Sequence, residues 1–246
     1  MKYFPICLLF IYVFYSCKTK TDAILSSPSS LETSVDSLVH TFIDSTKAAG
    51  AVVAVFKKNE KVLLKSYGFA DLEFKTKLPT DASFEIGSVT KQFTTAAILQ
   101  LADSGKINLD EDFTKYVKFN TQGRKIPVRR LMDHTSGIRG YTEMPAFGSL
   151  APFKYQKDTL LRLVEKEKFD FEPGEALIYN NTAFFILGLI LEKVTGTSYE
   201  NYVQKNLFDK AGMKNSYYCS ESKVIPNRAH GYDMGEHGLQ RAGYLD

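Results

Sequence analysis

The chain has 246 residues, 44% hydrophobic and 24% charged, which is the composition of a globular protein and excludes a disordered, collagenous or coiled-coil one. Its 31 basic and 28 acidic residues leave a formal charge of +3 with no concentrated run of Lys and Arg, so the balance argues against nucleic acid as a partner. Cys7, Cys17, Cys219 and four histidines show neither paired ligand spacing nor an H-E-x-x-H pattern, and chemistry without metal or cofactor is expected.

In chain order, Met1 and Lys2 precede an apolar stretch of 12 residues, 3–14, which is signal-peptide length; a membrane-spanning helix needs about 20 residues. The stretch ends at Tyr15-Ser16-Cys17, similar to a loosened bacterial lipobox. Residues 1–16 are therefore expected to be a signal peptide and Cys17 the lipidated residue. The polar, Ser-rich residues 17–30 follow as anchor and linker. That predicts a lipid-anchored protein of the bacterial cell envelope, on the periplasmic side or the outer membrane. An ordinary secretory signal cleaved elsewhere is the alternative, because Phe14 and Tyr15 are bulky for a cleavage site.

Residues 31–246 read as one α/β domain. Leu31, Val35, Leu38, Val39, Phe42 and Ile43 recur at helical spacing, which predicts an amphipathic helix. Residues 51–56 and 61–69 are rich in β-branched and aromatic side chains around a polar break, the pattern of a β-hairpin. Residues 88–103 carry apolar side chains over most of a helix surface before Ser104-Gly105, predicting a central, little-exposed helix. Short helices and loops follow over 106–172, including a helix at 128–133 after Pro127. An apolar helix at 182–194 stops at Gly196, and an amphipathic one starts near Ser198 and carries Tyr199, Tyr202, Val203 and Leu207.

Ser88-Val89-Thr90-Lys91 is an S-x-x-K pattern. On a helix, residues three apart share a face, so the Lys91 amine, if neutral, can take the Ser88 proton as the oxygen attacks a carbonyl. At a helix start, Ser88 would also offer a free backbone N–H to an oxyanion. A second match, Ser220-Glu221-Ser222-Lys223, leads into Val224-Ile225-Pro226 with no helical pattern and reads as chance. The bland reading of Ser88 is an N-cap beside a solvated lysine. Tyr179-Asn180-Asn181 follows the turn Glu172-Pro173-Gly174-Glu175 and enters the apolar helix. Tyr179 there is suited to proton transfer and Asn181 to contact with a substrate amide, against a bland reading as a helix-entry aromatic. Tyr199-Glu200-Asn201 repeats the pattern on a packing face.

Taken together, Phe84-Glu85-Ile86-Gly87-Ser88-Val89-Thr90-Lys91, Ile107-Asn108-Leu109-Asp110, His134-Thr135-Ser136-Gly137, Phe171-Glu172-Pro173-Gly174 and Tyr179-Asn180-Asn181 resemble the serine β-lactamase and penicillin-binding protein superfamily. The chain is most similar to its class C β-lactamase, D-Ala-D-Ala carboxypeptidase and esterase branch, from about residue 31 onward. The resemblance implies a β-lactamase/transpeptidase-like α/β fold, an antiparallel sheet packed against helices with a helical subdomain. It implies Ser88 as acylated nucleophile, Lys91 as base, Tyr179 as proton shuttle and Asn181 as substrate contact, with the segment of His134 structural. The implied reaction is cleavage of an amide or ester in a small-molecule or peptidoglycan-like substrate. A non-catalytic or acyl-trapping module for such ligands is the alternative.

The family's third motif, Lys-Ser/Thr-Gly or His-x-Gly on a sheet strand, has no match at the expected place. Lys210-Ala211-Gly212 fits a different family segment, and only eight residues follow His237-Gly238. The C-terminal strands of the sheet are thus expected to be missing, with an unpaired edge on the hairpin. Loss of one oxyanion donor costs on the order of 100-fold to 1000-fold in rate.

Overall fold

The computed structural model of the protein describes residues 30–43, 48–150, 157–220 and 222–243. The expected signal peptide, Cys17 and all of the linker but Ser30 lie outside them. Helix α1 (Ser30–Phe42) leads to strands β1 (Gly50–Lys57) and β2 (Glu60–Asp71), which pair antiparallel from Gly50 opposite Gly68 to Lys57 opposite Glu60. Lys58 and Asn59 both take positive φ, 50° and 67°, as a two-residue hairpin turn with the twist of its strands requires. The short β3 (Thr76–Lys77) joins the far side of β2, giving the order β1-β2-β3.

The hairpin's two faces differ. Lys65 and Tyr67 meet α1: Lys65 Nζ lies 2.9 Å from Glu32 and 2.7 Å from Asp36, and the Tyr67 hydroxyl donates to Asp36 at 2.7 Å. Ala54, Phe56, Val62 and Leu64 on the other face are exposed. The apolar stripe expected to seat α1 is not buried, since Leu38 and Phe42 remain 62% and 69% exposed. This helix is held to the sheet largely through charged and hydroxyl groups.

The core lies in the helices. A 3-10 turn, Gly87–Val89, opens α2 (Thr90–Asp103); then come α3 (Val128–Met132), α4 (Phe147–Leu150), α5 (Lys157–Val164), α6 (Asn181–Thr195) and α7 (Tyr199–Val203). Ala97, Ile98 and Leu101 of α2 pack with Val128 and Leu131 of α3 and with Ile186, Leu187, Ile190 and Leu191 of α6, all at most 2% exposed. The segment 88–103 is less enclosed than its composition predicts, because Val89 in the turn and Leu99 in α2 stay 55% and 42% exposed. Helix α7 passes through a π-helical turn, Gln204–Phe208, into α8 (Asp209–Ala211). There Lys210-Ala211-Gly212 closes a helix and lies on no strand.

A second antiparallel hairpin, β4 (Tyr232–Gly235) and β5 (Gly238–Arg241), has His237 in its turn. It docks on the end of β2, where the Leu72 N–H donates to the Tyr232 hydroxyl at 2.8 Å. Among the described residues β1 has no strand neighbour but β2.

Candidate active site

Gly87 takes a positive φ of 49°, which turns the chain sharply out of residues 83–86 and into the 3-10 turn that carries Ser88. The first N–H groups of such a turn have no partner within it, and the Ser88 hydroxyl above them is exposed. The turn runs on into α2, so Lys91 stands on the same side one turn later, and its Nζ lies 3.2 Å from Ser88 Oγ. The Tyr179 hydroxyl donates to the same Ser88 Oγ from a loop 91 residues further along the chain. Lys91 Nζ also lies 4.6 Å from the centre of the Tyr179 ring and 5.3 Å from that of Phe184, and it donates to Asn181 Oδ1 at 2.6 Å. All four side chains expected from the sequence therefore converge.

The loop that presents Tyr179 is fixed from both sides. Asn180 is 3% exposed and caps α6, its Oδ1 accepting from the Ala183 N–H at 2.7 Å while its Nδ2 donates to Ile138 O at 2.5 Å. The Asn180 backbone N–H donates to His134 Nδ1 at 3.1 Å, and the His134 ring lies 4.8 Å from the Tyr179 ring and 5.2 Å from that of Phe184. Further links run from the Ile178 N–H to His134 O at 3.1 Å and from the Gly174 N–H to Thr135 O at 2.8 Å. Gly137 completes the contact: its φ is +73° and a Cβ there would come within 2.0 Å of Phe171 O. The His-Thr-Ser-Gly segment is the brace of the Tyr179 loop, which is the structural role expected of it.

Electrostatics follow from this packing. Burial pushes the Tyr179 phenol up, but hydrogen bonds with Lys91 and Ser88, together with the Lys91 charge, outweigh it and leave the phenol below its ordinary value. Burial, then the Lys91 charge, holds the His134 imidazole below its usual range against the opposing pull of Asp133. With Nδ1 accepting from Asn180, neutral His134 carries its proton on Nε2.

The decoys fall apart in space. Lys223 pairs with Glu200 and Ser220 Oγ bonds Ser222 Oγ at 2.9 Å, so no serine–lysine couple forms there. The Tyr199 hydroxyl meets Thr94 Oγ1 at 2.7 Å in the core, where burial pushes its phenol up. Among the described residues no three His, Cys, Asp or Glu side chains are placed to hold a metal. A hollow of about 200 Å³ walled by Phe84, Phe93, Phe208, Tyr217 and Ile225 is lined by none of the four converging side chains. Sequence reasoning missed Thr142, whose hydroxyl takes the Asn181 amide at 3.0 Å; it belongs to no motif and lies 39 residues from Asn181.

Residues 35–245 match the family model described as Beta-lactamase. The chain belongs to the β-lactamase family. It is 28% identical over 205 residues to Protein flp of Staphylococcus aureus (strain MRSA252), covering 81% of this chain and 41% of that protein. Among solved structures it resembles the octameric penicillin-binding protein homologue from Pyrococcus abyssi, with 26% identity, a TM-score of 0.74, and coverage of 87% of this chain and 51% of that one. It also resembles a class C beta lactamase, with 25% identity and a TM-score of 0.72, over 87% of this chain and 58% of that one. The fold is thus β-lactamase/transpeptidase-like, and the chain spans about half the length of these relatives.

Proposed function

We propose that the protein is a serine hydrolase that opens an amide or ester bond through an acyl-enzyme on Ser88. The observation that carries this reading is the convergence of the Lys91 amine and the Tyr179 phenol on one hydroxyl from distant segments. Ser88 Oγ bonds to the substrate carbonyl carbon while its proton passes to neutral Lys91 Nζ. The oxyanion meets the Ser88 backbone N–H. On collapse the C–N or C–O bond breaks, Tyr179 gives its proton to the leaving atom, and Lys91 re-protonates Tyr179. Water then attacks the acyl ester, its proton following the same path, and Ser88 is restored. One N–H of the Asn181 amide is committed to Thr142; the other is the one assigned to a substrate carbonyl. β-Lactams, D-Ala-D-Ala peptides and small esters all share this acylation step.

An acyl-trapping module is the second reading, favoured by the openness of the site, with Ser88 exposed and Tyr179 45% exposed. Water at the reacting carbonyl weakens the fixed dipoles that stabilise an oxyanion. We further propose attachment to the cell envelope through lipid on Cys17, which mass spectrometry of the mature N-terminus tests; an unmodified N-terminus elsewhere contradicts it.

Labelling with a fluorophosphonate and a fluorescent penicillin tests the nucleophile. The adduct is expected on Ser88, absent from Ser88→Ala and retained by Ser220→Ala. Equal labelling of Ser88→Ala removes the assignment. Release of the penicilloyl group over time marks the hydrolase, and a permanent adduct marks the trap.

A further inference from the structure

Resting on the reading of Ser88 as nucleophile and Lys91 as its base, we propose that Thr142 and Glu143 are positioning residues that fix which way round the Asn181 carboxamide lies, and so keep the Lys91 amine directed at Ser88. Four groups form one chain. Lys91 Nζ donates to Asn181 Oδ1 at 2.6 Å, Asn181 Nδ2 donates to Thr142 Oγ1 at 3.0 Å, and the Thr142 hydroxyl donates to Glu143 Oε1 at 2.7 Å.

The polarity of the chain is set at its carboxylate end. A hydroxyl has one proton to give, and an ionised carboxylate can only accept. With its proton committed to Glu143, Thr142 faces Asn181 as an acceptor, and only the NH₂ end of the amide satisfies it. Sterics cannot make that choice, because the two ends of a carboxamide have nearly the same shape. The choice matters most when Lys91 is neutral, the state in which it takes the serine proton. Its nitrogen then carries a lone pair, and an amide turned over would direct an N–H at that lone pair and occupy the base. Thr142 holds the amide the other way, so the lone pair stays available to Ser88.

The carboxylate's position is built into the backbone. Glu143 ends the 3-10 turn Tyr141–Glu143, which folds it back over Gly140 so closely that a Cβ there would lie 1.7 Å from Glu143 Oε2. The turn is tied to the start of α6, the helix that begins with Asn181. The Tyr141 N–H donates to Thr182 Oγ1 at 2.9 Å, and the Thr182 hydroxyl donates to Arg139 O at 2.9 Å. Arg139 in turn donates to Glu143 O at 3.2 Å. Thr182 is 1% exposed, so the side chain that joins turn and helix is itself locked.

The test compares Thr142→Val, which keeps the shape and removes the hydroxyl, with Thr142→Ser, which restores it. In ¹⁵N-labelled protein the Asn181 side-chain amide is identified by its loss in Asn181→Asp. Its protons are expected to exchange with water about tenfold faster in Thr142→Val and at the wild-type rate in Thr142→Ser. Glu143→Gln, which alters little packing, is expected to move the exchange in the same direction. Acylation of Ser88 by a fluorescent penicillin should slow about tenfold in Thr142→Val and recover in Thr142→Ser. Unchanged Asn181 exchange in Thr142→Val, or wild-type acylation by that variant, overturns the inference while leaving Ser88 as nucleophile. A wild-type chain that takes no adduct on Ser88 refutes the nucleophile instead, and Asn181 exchange still decides the relay.

Discussion

At Ser88 the oxygen has two proton-carrying neighbours, Lys91 and Tyr179, and they are not equivalent. In the proposed mechanism Lys91 is the base of the first step, so Lys91→Ala is expected to slow acylation by 10²- to 10⁴-fold. Tyr179→Phe keeps the ring against His134 but removes the shuttle, so the leaving-group step should suffer while binding stays near normal; a stopped-flow series over leaving groups of differing basicity reads this, with the largest loss for the most basic. His134 has a different signature. An unfolded histidine takes its proton near pH 6.5, whereas the folded ring, held lower by burial and by Lys91, takes it at lower pH. Between those values the unfolded chain binds more protons, so stability falls as pH drops through the interval. Protonation also removes the Nδ1 acceptor of the Asn180 N–H. The melting temperature is expected to fall between pH 7.5 and 5.5 more steeply in the wild type than in His134→Gln. Parallel curves contradict this account of the brace.

Among the elements, helix α6 carries a heavy share of the core and, through Asn181, a part of the site. The side chain of its cap, Asn180, makes two buried hydrogen bonds at once, so Asn180→Ala should cost about 2–3 kcal/mol in urea unfolding and loosen Tyr179 with it. Gly137→Ala, at a left-handed position hard against Phe171 O, should cost about 2–4 kcal/mol. Native stability in either variant would show that the loop is held in some other way. The elements were readable where one local rule governs them: the apolar helix at 182–194, the hairpin around Lys58-Asn59 and the serine–lysine spacing all rest on periodicity and turn chemistry. Three features were not. Gly87 and Ser88 form a 3-10 turn instead of the first turn of an α-helix, because the backbone angle of Gly87 is not written in any pattern of apolar residues. Helix α1 has the right spacing but leaves Leu38 and Phe42 exposed, since spacing reports a stripe and not whether something covers it. Thr142 and Glu143 were invisible because their role depends on a tertiary meeting with Asn181, and no local signal announces it.

For the whole molecule, the helices enclose one apolar core while the β1–β2 hairpin shows water a face of Ala54, Phe56, Val62 and Leu64. Among the described residues β1 has no second strand neighbour, and a strand edge of that kind beside an apolar face is the arrangement that favours edge-to-edge association. The chain is therefore expected to self-associate as its concentration rises, and Phe56→Lys or Val62→Lys should suppress that in light scattering without lowering the melting temperature. The chain spans about half of its relatives' length, and the four side chains of the proposed mechanism, Ser88, Lys91, Tyr179 and Asn181, are all among the described residues. The most direct measurement is the second-order rate constant for acylation of Ser88 by a fluorescent penicillin, in the wild type and in Lys91→Ala, with the adduct mapped by peptide mass. A mapped Ser88 adduct that forms at least 10²-fold more slowly in Lys91→Ala is the predicted result. Equal rates in the two proteins, or an adduct on another residue, would contradict a nucleophile activated by Lys91.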